Sequence, residues 1–271
     1  MQKELIYLGQ TIKNEIILQP PGVFKLIAHE VRWTLLCRLA RSDLRVQELA
    51  ELLSLPQNLI SYHLRKLREG RLVTERRSQA DERASYYILD LEQLQRLYLT
   101  AVSTLHPAVT VLSSTASVQA KQTLRPKLRV LFLCTENSAR SQMAEALLRH
   151  LSQGQVEACS AGSAPARTIH PLARRVMERS GIDLSGAVPK HFDNFCGQYF
   201  DAIITVCDRV REVCPVFPDD PERIHWSFAD PAQVKGSEQT QRQAFEQTAL
   251  QLTTRIRLLL TLFKHEKGGF A

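Results

Sequence analysis

The sequence predicts two units of different class. The first is a mostly α winged helix-turn-helix with a β-hairpin wing. The second is α/β, a parallel sheet with helices on both faces. Three observations predict them. Between Val23 and Leu67 apolar residues recur at helical spacing in three segments, and after Gly70 the period shortens to that of two strands. From Arg129 onward apolar runs alternate with helical patterns over short connections, the mark of a parallel sheet. The first of those runs, Val130 to Leu133, stops at Cys134, and five residues separate that cysteine from Arg140.

The first twenty residues carry no strong signal, and Pro20-Pro21-Gly22 then breaks the chain. From Val23 to Ala40, one stripe holds Phe24, Ile27, Ala28, Val31 and Leu35. An adjoining stripe of Trp33, Leu36, Cys37 and Ala40 makes this a largely buried helix, with Cys37 in the core. Ser42 and Asp43 suit the cap of a short second helix whose apolar positions are Val46, Leu49, Ala50, Leu52 and Leu53. Ser54-Leu55-Pro56 is a turn into a third helix, where Ile60, Leu64 and Leu67 face inward. Gln57, Asn58, Ser61, Tyr62, His63, Arg65 and Lys66 are left largely outside. Leu72–Arg77 and Ala84–Leu89 read as strands around the polar turn Ser78 to Arg83. Such a module would set the polar face of the third helix in the major groove of DNA, where Gln, Asn and Arg side chains meet base edges. Arg76, Arg77 and Arg83 on the hairpin would contact phosphates or the minor groove. A three-helix packing module with an ordinary solvated face is the plainer alternative.

His106 to Pro126 is rich in Ser, Thr, Ala and Val without a period and reads as a flexible linker, giving domains at 1–105 and 127–271 joined by 106–126. Beyond it the pattern gives strand 128–133, helix 142–152, strand 156–161, helix 170–180, strand 201–207 and a long helix over 238–264. Ligands of such sheets bind at the carboxyl ends of the strands, where Cys134 and Cys207 both fall. The loop Thr135-Glu136-Asn137-Ser138-Ala139 leads into a helix with Met143, Ala144, Leu147, Leu148 and Leu151 on one face. Its backbone amides and the helix N-terminus can hold a tetrahedral oxyanion. The same field favours thiolate, so Cys134 is placed as a nucleophile, and Arg140 supplies a planar fork for two anion oxygens. A buried core cysteine followed by a surface arginine is the plainer alternative. Cys214 follows seven residues after Cys207. Were that segment helical, the two would stand about 10 Å apart along the axis. A disulfide tolerates only about 7 Å between alpha carbons, so joining them requires the segment to unwind.

Composition narrows the setting. The 271 residues have no run of eighteen apolar positions and no basic–apolar leader, so the chain is expected neither to span a membrane nor to be secreted. Six cysteines over that length read as reduced cytoplasmic thiols, and no bound cofactor or metal is implied. A net charge of +7 permits a polyanionic partner without demanding one.

Two resemblances follow from particular residues. Phe24-Lys-Leu-Ile-Ala-His-Glu-Val-Arg32, Val46-Gln-Glu-Leu-Ala50, Ile60-Ser-Tyr-His-Leu-Arg-Lys-Leu-Arg-Glu69 and Leu72-Val73 resemble the ArsR-type (arsenical-resistance) repressor family over roughly residues 20–100. The resemblance implies a homodimer on palindromic operator DNA, with Leu91 to Leu105 as the dimerisation helix. The arsenite-sensing members carry a Cys-x-Cys where this chain has Arg45-Val46-Gln47, so metalloid sensing by this unit is not implied.

Cys134-Thr-Glu-Asn-Ser-Ala-Arg-Ser-Gln-Met-Ala-Glu145, Ser160-Ala-Gly162, Thr205-Val-Cys207, Cys214-Pro215 and His225-Trp-Ser-Phe-Ala-Asp230-Pro231-Ala232 resemble the thioredoxin-coupled arsenate reductases, which have the low-molecular-weight tyrosine phosphatase fold. That resemblance implies attack on arsenate by Cys134, with Arg140 and the loop amides holding its oxygens and Asp230 protonating the leaving oxygen. Cys207 then attacks Cys134, Cys214 resolves that disulfide, and the Cys207–Cys214 disulfide passes to thioredoxin or a similar external thiol reductant. It also gives Asn137 a left-handed backbone and lets Ser141 hydrogen-bond the Cys134 sulfur. This chain departs from its relatives at Glu136, a loop position often Gly, whose carboxylate must point away from the anion. It departs at Ala139, often another Cys, and at Lys190, near a position that some relatives use to bind potassium. Cys159 and Cys196 match no role and are expected to be structural. Two other functions fit: a low-molecular-weight protein-tyrosine-phosphatase fused to a DNA-binding domain, or a catalytically weak oxyanion or redox sensor.

Overall fold

A computed structural model describes residues 21–104, 128–219 and 221–266, with side chains to residue 263. The N-terminal segment before Pro21 and the expected linker lie outside the described residues. Among the described residues no helix is long and apolar enough to cross a membrane.

The N-terminal unit starts with α1 (Gly22–Ile27) and α2 (Glu30–Leu39), where the sequence predicts one helix; the break falls at Ala28, and the His29 ring accepts the Val31 N–H as the new cap. Then come β1 (Leu44–Arg45), α3 (Val46–Leu53), α4 (Gln57–Glu69), β2 (Val73–Arg77), β3 (Ser85–Leu89) and α5 (Leu91–Ser103). β2 and β3 form the expected antiparallel hairpin, and β1 adds a third strand against β3. Leu35, Leu36, Leu39, Leu49, Ile60, Leu64, Leu67 and Leu72 fill the core. Trp33 and Cys37 do not join it: Trp33 is 57% exposed and Cys37 is also at the surface. At 100° per residue the face centred on Leu35, Leu36 and Leu39 leaves both on the far side.

The second unit contains β4 (Leu128–Cys134), α6 (Arg140–Leu151), β5 (Val156–Gly162), α7 (Pro171–Arg179), β6 (Ala202–Thr205), α8 (Asp208–Glu212), β7 (Glu222–His225) and the long α9 (Glu238–Glu266). The four strands are parallel in the order β5-β4-β6-β7. The chain steps from β4 to β5 on one side and reaches β6 on the other, so the strand order reverses at β4. Connections diverge at such a point and leave a crevice at the carboxyl end of the strand, where Cys134 lies. Val130 to Leu133 are wholly buried, as a central parallel strand requires, and α6 and α9 pack together beside the sheet.

The two units touch, although the expected linker would leave them free. Asp43, expected as a helix cap, instead accepts the Ser227 N–H at 2.7 Å and the Arg255 guanidinium at 2.8 and 3.1 Å. The Asp43 N–H donates to the His225 carbonyl at 2.8 Å. The start of α3 is stabilised by Glu48, whose carboxylate accepts the Arg45 N–H. Arg41 pairs with Glu222, and Arg211 with Glu48.

Candidate active site

The loop after β4 is shaped by where its carbonyls go. Those of Cys134, Thr135, Glu136 and Ser138 accept the backbone N–H groups of Ser163, Ala164, Ala166 and His170. With the carbonyls held outward, the amides turn inward, and the Asn137 N–H lies 3.1 Å from Cys134 Sγ. Asn137 adopts the left-handed conformation that its residue type tolerates (φ 49°). The turn also depends on Gly162, where a Cβ would stand 2.4 Å from the Thr135 carbonyl. Glu136 is exposed, and its carboxylate accepts the Ser138 hydroxyl at 3.1 Å. Ala139 is buried at the foot of α6.

A hydrogen-bond chain ends at the sulfur. The Ser160 hydroxyl donates to Glu145 Oε2 at 2.6 Å. The Asn137 amide donates one hydrogen to Ser160 Oγ and the other to Ser141 Oγ, both at 2.9 Å, while its Oδ1 accepts from Gln142 and from the Lys190 N–H. Ser141 therefore already accepts, and its own hydrogen is free to point at Cys134 Sγ, 2.8 Å away. Sequence reasoning assigned no role to Glu145, Gln142 or Ser160, although all three stand in its motifs. Lys190 Nζ lies 3.5 Å from Glu145 Oε2. Among the described residues, no three His, Cys, Asp or Glu side chains form a metal cluster.

Cys134 is fully buried, and that burial pushes its thiol above the ordinary range. The neighbouring Cys207 adds to the rise, while Arg140, Ser141 and the Asn137 N–H oppose it. The sequence predicts a net preference for thiolate; desolvation reverses it, because the same walls that aim the donors exclude water. Arg140 is also shared: its guanidinium meets Asp230 Oδ2 at 2.9 Å and the Phe228 carbonyl at 3.1 Å. Asp230 sits at the end of the His225–Asp230 segment and accepts the Ala232 N–H. Arg140 and Asp230 thus meet as an ion pair beside the loop.

The second cysteine is close. Cys207 follows β6, the neighbour of β4, and its Sγ is 3.4 Å from Thr135 Oγ1. It caps α8, and half-buried Cys214 lies two residues past that helix. Burial pushes the Cys214 thiol upward, with Arg223 pulling the other way. Cys159 is half-buried, and Cys196 is exposed rather than built into the core.

Among the residues expected to read DNA, Gln57, Asn58, Ser61, Tyr62 and Arg65 are exposed on one face of α4, and Lys66 is partly so. His63 is not: it is 4% exposed, with its ring 4.5 Å from that of His29, because it flanks the Ile60–Leu64–Leu67 face. Arg77 and Arg83 are exposed, but Arg76 is not free. Strand alternation turns it away from Arg77 and into the second unit, where its Nη2 meets both oxygens of Asp208 at 2.8 and 2.7 Å and its Nε donates to the Ser227 carbonyl.

Residues 129–268 match the family model described as low molecular weight phosphotyrosine protein phosphatase. The chain belongs to that family. Residues 29–75 match the model of the bacterial regulatory protein arsR family, so an arsR-family helix-turn-helix segment precedes the phosphatase-family domain. An arsenate reductase of Halalkalibacterium halodurans is 34% identical over 47% of this chain and 91% of its own length. One from Brevibacillus brevis is 40% identical over 39% of this chain and 78% of its own. A solved arsenate reductase in its phosphate-binding state is 28% identical, covers 50% of this chain and 98% of its own, and has a TM-score of 0.41. Cys134, Arg140, Cys207, Cys214 and Asp230 all fall inside the family match.

Proposed function

We propose that the chain is a cytoplasmic, two-domain arsenic-resistance protein: an arsenate reductase joined to a DNA-binding regulator, with domains at 1–105 and 127–271. The observation that carries the reductase reading is the placing of three thiols. Cys134 ends β4, Cys207 follows the neighbouring strand β6 by two residues, and Cys214 lies just past the helix that Cys207 caps. Phosphoryl transfer has no use for the last two.

Arsenate enters the loop as a dianion and competes with Asp230 for the Arg140 guanidinium. Thr135, Glu136, Asn137, Ser138, Ala139 and Ser141 supply the cradle, with Ser141 donating to the sulfur as its proton leaves. Cys134 Sγ bonds to arsenic as its proton passes to the arsenate dianion, and one arsenic oxygen departs as water on accepting a proton from Asp230. Cys207 then attacks Cys134 Sγ. The electrons of the S–As bond pass to arsenic, which leaves as arsenite. Cys214 attacks Cys207 Sγ and returns Cys134 as thiol. An external dithiol such as thioredoxin, itself oxidised to its disulfide, reduces the Cys207–Cys214 bond; no bound cofactor takes part.

Removing each thiol separates these steps. Cys214→Ser should release one equivalent of arsenite per chain and stop, and Cys207→Ser should release none. Full arsenate turnover by Cys207→Ser, together with brisk phosphotyrosine cleavage, would rule out the reductase reading.

In the regulator, the exposed face of α4 meets operator DNA, the β2–β3 hairpin is the wing, and α5 pairs two chains. Arg65→Ala with Lys66→Ala should lower the slope of log affinity against log salt by about two. An unchanged slope would remove α4 from the groove.

A further inference from the structure

One short helix, α8, lies between Cys207 and Cys214 and carries part of the grip on the hairpin. Asp208, the first residue of α8, has no exposed surface. Its carboxylate accepts from Arg76 Nη2, from the Gln79 N–H at 2.7 Å, from Ser227 Oγ at 2.7 Å and from His225 Nε2 at 3.2 Å. Two of those donors, Arg76 and Gln79, belong to the hairpin of the N-terminal unit. One turn later Arg211 pairs with Glu48 of α3 and lies over the Tyr86 ring of β3, 5.2 Å from its centroid. Other bonds between the units involve no residue of α8, among them Asp43 with Arg255 and Ser227, Ser42 with His225, Arg41 with Glu222 and Thr254 with Glu92. So does the bond from Arg76 Nε to the Ser227 carbonyl, which leaves Asp208 as the α8 share of the grip on Arg76.

Cys207 caps the start of this helix, and Cys214 stands two residues beyond its end. Were all seven residues to Cys214 helical, the pair would stand about 10 Å apart along the axis, beyond the roughly 7 Å a disulfide spans; α8 holds Asp208–Glu212 of that stretch wound. Closing the bond therefore draws the two ends of this segment together at the expense of the wound turn. Asp208 and Arg211 lie wholly within the segment that must unwind.

We propose that closing the Cys207–Cys214 disulfide unlatches the β2–β3 hairpin from the phosphatase-family domain, so that each oxidation at the active site is read out as release of Arg76 in the regulator domain. This rests on the reading above that these two cysteines pair. Two thiols give up two electrons and two protons, and arsenate takes them up to yield arsenite and water. A diazenedicarboxamide oxidant takes the same electrons and protons to become the hydrazine, so the bond can be made without arsenate. The Asp43–Arg255 contact is untouched, and the units stay tethered while the hairpin is let go.

The test is amide hydrogen exchange of the full chain, reduced and after oxidation by arsenate or by the diazenedicarboxamide, with the disulfide mapped by peptide mass. Exchange across residues 76–84 should rise about tenfold or more on oxidation, while the peptide around Asp43 changes little. Cys214→Ser should abolish the response. Arg76→Gln and, independently, Asp208→Asn should show fast hairpin exchange even when reduced. If arsenate fails to form the disulfide but the chemical oxidant forms it and frees the hairpin, the latch stands and the reductase reading falls. A mapped Cys207–Cys214 bond with unchanged exchange in 76–84 overturns the latch, and so does failure of both oxidants to form that bond.

Discussion

Replacing Asp43 with Asn tests whether the two units are held by buried charge. The change is isosteric and opens no cavity. Its carbonyl can still accept the Ser227 N–H, but its amide then faces the Arg255 guanidinium, donor against donor. Asp43 is completely buried and the Arg255 side chain is 21% exposed, so the cation keeps part of its hydration. Breaking a fully buried ion pair costs about 3–5 kcal/mol, and the partial solvation of Arg255 brings the expected loss to about 2–3 kcal/mol. Trp226 reports on it: its indole is 4% exposed and lies 5.9 Å from the Arg255 guanidinium. Urea unfolding followed by Trp226 fluorescence in a Trp33→Phe background should show the loss. Adding Arg255→Met should recover part of it, since an uncharged thioether no longer faces the amide and still packs on the rings. The double-mutant cycle should therefore show a coupling above about 1 kcal/mol. Additive single effects, or a loss below about 0.5 kcal/mol from Asp43→Asn, would refute the assignment.

Three further outcomes follow from the same geometry. Ser160→Ala breaks the chain that orients Asn137 and Ser141, so kcat should fall about tenfold, one hydrogen bond's worth, and the pH midpoint of Cys134 alkylation should move upward; an unmoved midpoint would leave Ser160 a packing residue. Gly162→Ala drives a Cβ into the Thr135 carbonyl and should cost about 1–3 kcal/mol in stability and most of the activity, with ordinary melting and turnover counting against the close approach. For Asp208, burial would raise the carboxyl pKa, but bonds from His225, Gln79, Ser227 and Arg76 outweigh it and hold it far below the ordinary value. Its contribution is therefore complete above the unfolded value of about 4 and lost as pH falls toward the folded one, so hairpin exchange in the reduced protein should accelerate only below about pH 4.

Much of this architecture was legible because the chain announces it locally. The apolar run from Val130 to Leu133 names a central strand, and the Ile60, Leu64, Leu67 spacing names the inward face of α4. Where two apolar stripes adjoin, periodicity cannot choose between them: Trp33 and Cys37 look as apolar as Leu35 and Leu39, and only the packed neighbours decide. His63 went inward for a related reason, since its ring flanks a buried face that its polarity disguised. The cradle was legible as a motif, but its charge state was not, because desolvation of Cys134 depends on walls drawn from distant segments.

The least legible feature was the contact between the units, and the reason is physical. Its anchors are single residues far apart in sequence, Asp43 with Arg255 and Arg76 with Asp208, and no period connects them. In the sequence Arg76 is one of three hairpin arginines, indistinguishable from Arg77 and Arg83 and suited like them to a phosphate. Strand alternation sends Arg76 alone toward Asp208, where it meets a carboxylate already desolvated and oriented by Ser227 and His225. A cation held there is unavailable to a phosphate, whatever the net charge of the domain. The electrostatic footprint of the regulator is therefore a property of the joined chain, and an isolated N-terminal domain should present the Arg76 cation that the full-length protein holds against Asp208.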